Sequence, residues 1–331
     1  MPKPPNVAIL TFAGCQVLDV TGPAMVFQAA NDVSGKEHYS VHILSPNGGT
    51  IQTNSAVVLA TKPLRDLSPR AIDTLLIAGG EVSGLKILAA DAQVRKWALQ
   101  ATAKARRYGS ICTGTFALAR FGLLGGKRVA THWSACSELA ELCPEAQVDA
   151  NALFVNEGRL WTSAGVTTGI DMSLAMVSAD LGDVIANAIA KRLVLYARRP
   201  GYQSQFSPVL SAQSHADAPF AELVEWIREN LAGSLEVPRL AARVSMSERT
   251  FLRNFTRSMG VTPARFVETL RLDQARVYLA AGMSLKEIAT KVGYLTGAQL
   301  SKAFDRRFGM NPSLFRELHH RPDQVELPGR R

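Results

Sequence analysis

The sequence contains Phe255-Thr-Arg-Ser-Met-Gly-Val-Thr-Pro-Ala-Arg-Phe266 and, 49 residues later, Phe304-Asp-Arg-Arg-Phe-Gly-Met-Asn-Pro-Ser-Leu-Phe315. Five positions are identical at this one offset, and they include a glycine and a proline, residues that fix turns. The identical pairs are Phe255/Phe304, Arg257/Arg306, Gly260/Gly309, Pro263/Pro312 and Phe266/Phe315. One supersecondary unit is therefore used twice near the C-terminus.

Each copy includes a short helix, a tight turn and a second helix. In the first copy, residues 238–244 precede a turn and a helix predicted over 248–257, with Ser247 as its N-cap. In the second copy, Ser284 and Glu287 predict a capping box for a helix over 285–291, followed by a helix over 297–308. This order is typical of a helix-turn-helix, whose second helix enters the major groove of DNA.

The second helix of each unit has an apolar and a polar side. The residues predicted to face the core are Phe251, Leu252 and Phe255 in the first helix and Leu300, Ala303 and Phe304 in the second. Arginine suits contact with guanine edges and with phosphates, although any single arginine could instead cover a solvated surface. We predict that double-stranded DNA is bound by Arg249, Thr250, Arg253, Arg257, Thr296, Gln299, Lys302 and Arg306.

The net charge of +9 lies entirely in the same region. Residues 239–331 hold 17 basic and 8 acidic side chains, whereas the rest of the chain is balanced. This excess indicates an anionic partner, nucleic acid or a membrane surface. No apolar run approaches the roughly 18 residues of a membrane span, no leader pattern opens the chain, and the four cysteines form no CxxC pair. We therefore expect a soluble, cytoplasmic protein without a membrane partner.

The first two hundred residues alternate apolar, β-like runs with helical patterns, which predicts an α/β fold with a doubly wound, mostly parallel sheet. Strands are predicted over 7–12, 39–44, 74–78, 110–112 and 129–132, with a hairpin at 156–158 and a helix from Asp183 to near Arg198. At 331 residues the chain is long enough for two domains. We expect a first domain over 1–201, a linker over 202–217, an all-α domain over 218–320 and a disordered tail over 321–331.

Three residues with reactive side chains follow predicted strands. Cys112 lies in a turn of small residues ahead of a helix, the arrangement of a nucleophile elbow, and the helix N-terminus is expected to lower the pKa of its thiol. Asp19 and His132 end other strands, so the three could meet at one edge of the sheet. The alternative is an inert pocket. His132, Cys136 and Cys143 lack a fourth ligand at suitable spacing, so we expect no metal and no cofactor.

Residues 218–318 resemble the DNA-binding domain of the AraC/XylS family, two helix-turn-helix units joined by a helix, here over 262–280. The resemblance rests on Leu240-Ala241, Arg271-Leu272, Ala275, Ser284-Leu-Lys-Glu-Ile-Ala289, Val292-Gly-Tyr294, Phe304, Gly309, Asn311-Pro-Ser313 and Phe315-Arg316. One departure is Leu295-Thr-Gly-Ala-Gln-Leu300, where the family has a more polar opening and usually ends on an aromatic residue.

Residues 6–199 resemble the ThiJ/PfpI superfamily, which is related to the class I glutamine amidotransferases and has a flavodoxin-like sheet. The elbow cysteine of the superfamily matches Cys112, its acidic residue matches Asp19, and its glycine amides match Gly79 and Gly80. The hydrolase branch has histidine where this chain has Thr113, and Ser110 replaces the first glycine of the elbow. Both departures argue against inherited catalysis.

The order of the two domains is similar to that of GlxA-type regulators. The shared landmarks are Leu18-Asp-Val-Thr-Gly-Pro23, Cys112-Thr-Gly114, Thr131-His-Trp133, Thr162-Ser-Ala-Gly-Val166, Gly169-Ile-Asp171 and Arg199-Pro-Gly201. The resemblance implies a dimeric activator of catabolic genes for amino acids or quaternary amines, with RNA polymerase as a further partner. The implied effector pocket comprises Asp19, Gly80, Cys112, Thr113 and His132.

Two alternatives remain open from the sequence. One is a hydrolase, amidase or glyoxalase-like enzyme that uses Cys112, with Asp19 and His132 as its catalytic partners. The other is a DNA-architectural protein that binds its operator constitutively, indifferent to metabolites.

Overall fold

The structure is a computed structural model that describes residues 3–195, 198–202, 205, 220–259, 261–308 and 310–319. The chain divides into two compact units, Met1–Gln205 and Phe206–Arg331. The linker predicted over 202–217 lies outside the described residues except at Tyr202 and Gln205, and the tail predicted over 321–331 lies wholly outside them. Both therefore stay predictions.

The first unit is built on an eight-stranded sheet in the order β3-β4-β2-β1-β5-β6-β10-β9. Its neighbouring strands pair in parallel except for the two edge pairs, β3–β4 and β9–β10. The strands are β1 (Asn6–Leu10), β2 (Ser40–Ser45), β3 (Asn47–Gln52), β4 (Val58–Pro63), β5 (Ile72–Ile77), β6 (Arg107–Ile111), β7 (Arg128–Val129), β8 (Gln147–Val148), β9 (Phe154–Glu157) and β10 (Leu160–Ser163). The mostly parallel α/β sheet is thus confirmed, as is the hairpin between β9 and β10.

One predicted strand does not belong to this sheet. The run predicted as a strand over 129–132 is reduced to β7, which pairs only with β8 in a separate two-stranded sheet. His132 therefore follows a peripheral strand and not a strand of the central sheet. The prediction for this segment was wrong because an apolar run does not specify which strand it pairs with.

Among the described residues of the first unit, seven α-helices accompany the sheet, and they pack in two groups. Helices α1, α6 and α7 contact one another, α2 contacts α3 and α4, and α4 contacts α5. The helices are α1 (Val17–Ser34), α2 (Val82–Ala90), α3 (Ala92–Lys104), α4 (Thr115–Arg120), α5 (Cys136–Leu142), α6 (Thr168–Leu181) and α7 (Asp183–Arg192). Val94, Trp97, Ala98 and Ala101 of α3 are buried, as their helical spacing predicts.

Helix α7 is shorter than the sequence predicts, because it ends at Arg192 instead of near Arg198. Val194 takes a left-handed conformation with φ 55°, and the Leu195 amide donates to the Ala190 carbonyl. This bond closes the helix about two turns before the proline and glycine at 200–201 that had marked its end.

The second unit consists of helices and contains both helix-turn-helix units. They are α9 with α10 and α12 with α13, and α11 joins them. The helices are α8 (Phe220–Glu229), α9 (Val237–Arg243), α10 (Glu248–Met259), α11 (Pro263–Ala280), α12 (Leu285–Lys291), α13 (Gly297–Phe308) and α14 (Pro312–His319). The predicted caps form: the Ser247 hydroxyl accepts from the Thr250 amide, and Ser284 and Glu287 make a complete capping box.

The sequence repeat becomes a repeated aromatic contact. Phe255 and Phe266 pack edge to face with ring centroids 5.3 Å apart, and Phe304 and Phe315 do the same at 5.4 Å. All four rings are buried. The repeated glycines at 260 and 309 lie outside the described residues. Equal spacing of the phenylalanines therefore gives each helix-turn-helix the same core contact.

Arg271 of α11 links the two helix-turn-helix units. Its guanidinium donates to the carbonyls of Leu231 and Gly233, in the loop between α8 and α9. The turn between α12 and α13 lies against the same place, since a Cβ on Gly293 would come within 2.3 Å of the Leu231 carbonyl oxygen. Gly293 also has φ 76°, so this position needs glycine for both space and conformation.

A buried ion pair stabilises the first unit at the opposite end of its sheet from Cys112. The guanidinium of Arg107 in β6 donates to Asp180 of α6 and to the Thr74 hydroxyl, and the Tyr39 hydroxyl donates to the same carboxylate. Asp180→Asn leaves the buried guanidinium without its counter-charge, so we expect a loss of about 3 to 5 kcal/mol in the free energy of unfolding. Urea titration followed by circular dichroism measures this loss.

The matched control is Asp32→Asn, which removes a carboxylate from an exposed pair with Arg192. An exposed pair contributes about 1 kcal/mol or less, so this variant should unfold close to the wild type. Equal effects of the two substitutions would contradict the assignment of the Arg107 pair as a structural contact.

Candidate functional site

Cys112 is the central residue of a sharp turn between β6 and α4. It has φ 56°, a left-handed conformation that is strained for a residue with a side chain, and it opens a short 3-10 helix over Cys112–Gly114. The hydroxyls of Thr115 and Thr131 donate to its carbonyl at 3.2 and 3.0 Å. The elbow predicted from the sequence is therefore present, and its strain is supported by hydrogen bonds.

Two glycines allow the elbow to fit into its surroundings. A Cβ on Gly79 would lie 2.7 Å from the Cβ of Cys112, and a Cβ on Gly165 would lie 2.1 Å from it. Gly165 also has φ 92°. The thiol is thus enclosed by backbone, and Cys112 is only 8% exposed.

Asp19, in the first turn of α1, is fully buried beside the thiol. Its two carboxylate oxygens accept from the amides of Gly79 and Val166, at 3.1 and 2.7 Å, and the Cys112 thiol donates to it as well. Burial raises the pKa of Asp19 to about 6, although the hydrogen bonds from the two amides and the thiol oppose the rise. At neutral pH Asp19 is a buried anion held by three donors.

The same burial keeps the Cys112 thiol protonated. Desolvation, together with the negative charge of Asp19, raises the pKa of Cys112 to about 12. The shift is opposite to the predicted lowering of this pKa, because burial and the neighbouring carboxylate outweigh the hydrogen bonds from Thr113 that lower it. The thiolate that acts as a nucleophile is therefore scarce at neutral pH.

The glycine amides of the elbow already have acceptors within the chain. The Gly79 amide donates to Asp19, and the Gly80 amide donates to the Thr113 hydroxyl at 3.0 Å. That hydroxyl donates in turn to the Gly80 carbonyl at 3.2 Å. An oxyanion hole consists of donors aimed at the place where negative charge develops, and these two amides donate instead to Asp19 and Thr113. Thr113 stands where the hydrolase branch has a histidine, and its hydroxyl is hydrogen-bonded to the amide and the carbonyl of Gly80.

His132 directly follows Thr131, whose hydroxyl bonds to the elbow, but the His132 imidazole contacts other partners. Nδ1 contacts the Ser134 hydroxyl at 2.8 Å and caps the short helix Trp133–Ala135. Burial lowers the pKa of His132, so the ring is neutral near pH 7. Among the described residues, no hydrogen bond joins this imidazole to the thiol. The structure therefore brings Asp19, Gly80, Cys112 and Thr113 together and leaves His132 at their margin.

The remaining cysteine and histidine candidates show no metal-binding geometry. The Cys136 thiol donates to the His132 carbonyl at 3.5 Å, and no group of three or more potential metal ligands occurs within the part of the chain that the structure describes.

The last residues of the first unit include Gln205, which contacts a neighbour of the Cys112 elbow. The Arg199 guanidinium pairs with the buried Asp171 of α6, and the Gly201 carbonyl accepts from the amides of Leu153 and Phe154. Residues 203 and 204 lie outside the described residues. The side chain of Gln205, which follows them, donates to the carbonyls of Thr131 and Ala152, each at 3.0 Å. Because Thr131 also supports Cys112, Gln205 is two hydrogen-bonded steps from the elbow.

Several of these residues were not predicted as part of the site. Val166 and Gly165 appear in the sequence only as a family landmark, and Gln205 lies in the predicted linker. The sequence gives little sign of Val166 as a site residue, because its backbone amide, and not its side chain, donates to Asp19. Nothing local distinguishes Gln205 from the other glutamines.

The first helix of the candidate DNA interface is α10. Arg249, Arg253 and Arg257 are all exposed and follow one another at intervals of four, which places them along one side of the helix. Phe251 and Phe255 are buried on the other side. Leu252 was predicted to face the core, but it is 39% exposed, because its position turns it toward the arginine side.

The second helix of the interface is α13. Leu300, Ala303 and Phe304 are buried as predicted, and Thr296, Gln299, Lys302 and Arg306 are exposed. The Arg306 guanidinium is bound to the carboxylate of Glu268 in α11. A contact between Arg306 and a phosphate would therefore be made in competition with this exposed pair.

Comparison with known proteins gives two family matches. Residues 5–179 match the DJ-1/PfpI family and residues 240–318 match a helix-turn-helix domain family. The HTH-type transcriptional regulator GbdR of Pseudomonas aeruginosa is 27% identical over 312 residues, which cover 94% of this chain and 83% of that regulator. Isonitrile hydratase of Pseudomonas putida is 29% identical over 238 residues, 70% of this chain and 98% of the hydratase.

A solved structure is similar to the first unit. The crystal structure of a ThiJ/PfpI family protein from Pseudomonas syringae superposes with a TM-score of 0.54 at 24% identity, over 68% of this chain and 87% of that one. This likeness concerns the fold alone. No helix within the described ranges is long and apolar enough to span a bilayer.

The protonation of Cys112 can be tested by alkylation. In the wild type we expect iodoacetamide to modify Cys112 slowly at pH 7, with a rate that keeps rising above pH 10 because the thiol is protonated below its raised pKa. Asp19→Asn removes the negative charge and lowers the thiol pKa. For each pH unit by which this pKa falls, the alkylation rate at pH 8 should rise about threefold to tenfold. Peptide mass spectrometry measures the rate at each cysteine.

Cys143 is the internal control in both proteins, since it is buried outside this network. Its reactivity stays low as long as the first unit is folded, which separates a local change at Cys112 from unfolding. A wild-type inflection for Cys112 below pH 8 would show a thiolate and contradict the assignment.

Proposed function

The chain belongs to the DJ-1/PfpI family and is an AraC-family transcriptional regulator with a C-terminal helix-turn-helix domain, and from this we propose that its first unit is a non-catalytic sensor. In this proposal a small molecule binds near the Cys112 elbow and changes the affinity of the second unit for its DNA operator. Such control requires that the effector bind one arrangement of the protein more tightly than the other.

The observation that carries the proposal is the state of the elbow. A protonated thiol and glycine amides that already have acceptors disfavour nucleophilic catalysis at Cys112, although the strained turn is retained. Gly80, Thr113 and His132 are partly exposed around the buried Asp19 and Cys112. These five residues are proposed to line the effector site, with the buried pair as its floor.

We propose that the effector is an amino acid or a quaternary amine. Trp133, next to His132, is 53% exposed, and aromatic faces attract quaternary ammonium groups. The charge of the elbow supports the same class, because the only formal charge in contact with the Cys112 thiol among the described residues is the anionic Asp19. The regulated genes are proposed to serve the catabolism of such compounds.

On DNA, the protein is proposed to act as a homodimeric activator that contacts RNA polymerase. Arg249, Thr250 and Arg253 of α10 are proposed to meet base edges, and Arg257 to meet a phosphate. Thr296, Gln299, Lys302 and Arg306 have the same proposed roles on α13. All of these side chains are exposed except that of Thr250, which is partly buried, and this exposure supports the assignment.

Gln205 provides a route from the sensor toward the DNA-binding unit. Its side chain holds the last described residue of the first unit against Thr131, which itself supports the strained Cys112. A ligand that shifts the elbow would therefore change the anchorage of the chain where it leaves the first unit. We propose that the hydrogen bond from the Gln205 side chain to the Thr131 carbonyl is the switch.

An enzyme is the second candidate function. The left-handed conformation of Cys112, which is typical of a nucleophile elbow, favours it, as does the similarity to an enzyme, isonitrile hydratase. The two functions differ in one outcome: an enzyme consumes its ligand, whereas a sensor returns it unchanged.

Effector binding can be tested by thermal unfolding of the full chain with glycine betaine, choline, single amino acids and simple aldehydes. A ligand that binds only the folded protein stabilises it by about 2.7 kcal/mol when its concentration is about 100 times the Kd. We expect a saturable rise in Tm with one compound class, with the compound recovered intact. Cys112→Ala should retain the rise.

Two variants of the exposed indole serve as matched controls. Trp133→Ala should weaken binding of a quaternary amine, whereas Trp133→Phe should preserve most of it because the aromatic face remains. Consumption of a compound that stops in Cys112→Ala would refute the sensor and establish the enzyme. A compound that shifts Tm equally in all the variants would refute this placement of the site.

The switch is tested by Gln205→Ala. We expect this variant to bind both effector and operator. The ratio of operator affinities with and without effector should move toward one, because the end of the first unit is no longer hydrogen-bonded through Gln205 to Thr131. Fluorescence anisotropy with labelled operator measures the ratio. Gln147→Ala, a change of an exposed glutamine in β8, is the control and should keep the wild-type ratio.

A further inference from the structure

The two recognition helices begin with side chains of different chemistry. Helix α10 begins after Ser247 with Glu248, Arg249 and Thr250, all of them polar. Helix α13 is preceded by Leu295, which is 90% exposed, and its second residue is the exposed Ala298. The first turn of the second helix thus offers apolar surface where the first offers charge.

The turn before α13 is fixed, so Leu295 is held outside the core. The Tyr294 amide donates to the Ala289 carbonyl at 2.8 Å, and the Gln299 amide donates to the Thr296 hydroxyl at 3.2 Å, which caps the helix. Gly297 lies against Leu285, because a Cβ there would be 3.4 Å from the Leu285 Cδ2. Leu295 lies between Tyr294 and Thr296, which both form hydrogen bonds of the turn, and its exposure follows from the geometry of that turn.

The surroundings of Leu295 indicate what covers it. Lys291 and Lys302 are exposed on the same pair of helices, and lysine is depleted at protein interfaces. Arg306 is exposed on α13 as well, where it pairs with Glu268, and the exposed acidic residues of the two helices are Glu287 and Asp305. A cationic border around an apolar side chain suits DNA, whose phosphates flank the groove. In the major groove one group is apolar, the C5-methyl of thymine.

We infer that Leu295 contacts a thymine methyl group in the operator, and that Ala298 extends this apolar contact. The inference rests on the proposed operator binding through α13. The two helix-turn-helix units then read different chemistry, guanine through the arginines of α10 and thymine through the apolar turn of α13. Each operator site should therefore contain a guanine element and a thymine element about one helical turn, roughly 34 Å, apart.

The experiment uses the full chain and a library of duplex DNA with random sequence. The duplexes that the protein enriches are synthesised with each thymine replaced singly by deoxyuracil, which lacks only the C5-methyl. For the wild type we expect one or two replacements to weaken binding about fourfold, the factor for one buried methyl group. Leu295→Ala should bind the thymine and deoxyuracil duplexes equally.

The matched control is Leu314→Ala, since Leu314 is also an exposed leucine of the same unit, 43% exposed in α14. It should keep the wild-type sensitivity to the methyl group. Wild-type binding that is unchanged by every replacement overturns the inference, as does methyl sensitivity that survives in Leu295→Ala. So does a Leu295→Ala variant that binds as the wild type but fails to activate transcription, because the leucine would then contact polymerase.

The Arg253→Ala variant separates this inference from the proposed function. If guanine preference is lost in Arg253→Ala and no methyl sensitivity exists, operator reading stands and only the leucine contact is refuted. If the full chain enriches no sequence at all, both the operator and the leucine contact are refuted.

Discussion

The buried carboxylate of Asp19 determines the arrangement of the first unit at the carboxyl edge of its sheet. It accepts from Gly79 after β5 and from Val166 after β10, and the thiol of Cys112 after β6 donates to it. These three strands are neighbours in the sheet, so their following turns converge on one point. A buried anion is tolerated only where donors surround it, and the three turns provide them.

That arrangement has a chemical consequence. The donors that hold Asp19 are no longer available to a reacting oxygen, and the charge of Asp19 keeps the neighbouring thiol protonated. The elbow retains the strained backbone of a nucleophile but not its activated state. Thr113 reinforces the same outcome, since its hydroxyl occupies the Gly80 amide. In the proposed function, this site recognises a ligand without converting it.

In the second unit the duplication preserved the core and not the surface. The edge-to-face pairs Phe255–Phe266 and Phe304–Phe315 are nearly identical in geometry, because each helix-turn-helix must bury the same junction. The recognition helices carry no such constraint on their exposed sides. One presents a row of arginines and the other an exposed leucine turn, so the two copies of one unit have exposed sides of different chemistry.

The sequence by itself determined the features that depend on residues close in the chain. The helix-turn-helix repeat, the capping box of Ser284 and Glu287, the hairpin between β9 and β10 and the buried face of α3 all follow from spacing within a few turns. The elbow at Cys112 was predictable for the same reason, because small residues and a following helix specify it locally. The basic C-terminal third was visible from composition alone.

Only the tertiary structure decided the chemistry of the site. Val166 and Asp19 lie 147 positions apart, and Gly79 and Asp19 lie 60 apart, so no local pattern shows that their hydrogen bonds form. Burial set the protonation of Cys112 against the local expectation, and strand pairing left His132 after a strand of the peripheral two-stranded sheet. Protonation and the acceptors of backbone amides depend on what the whole chain places around a group, and that is settled by packing.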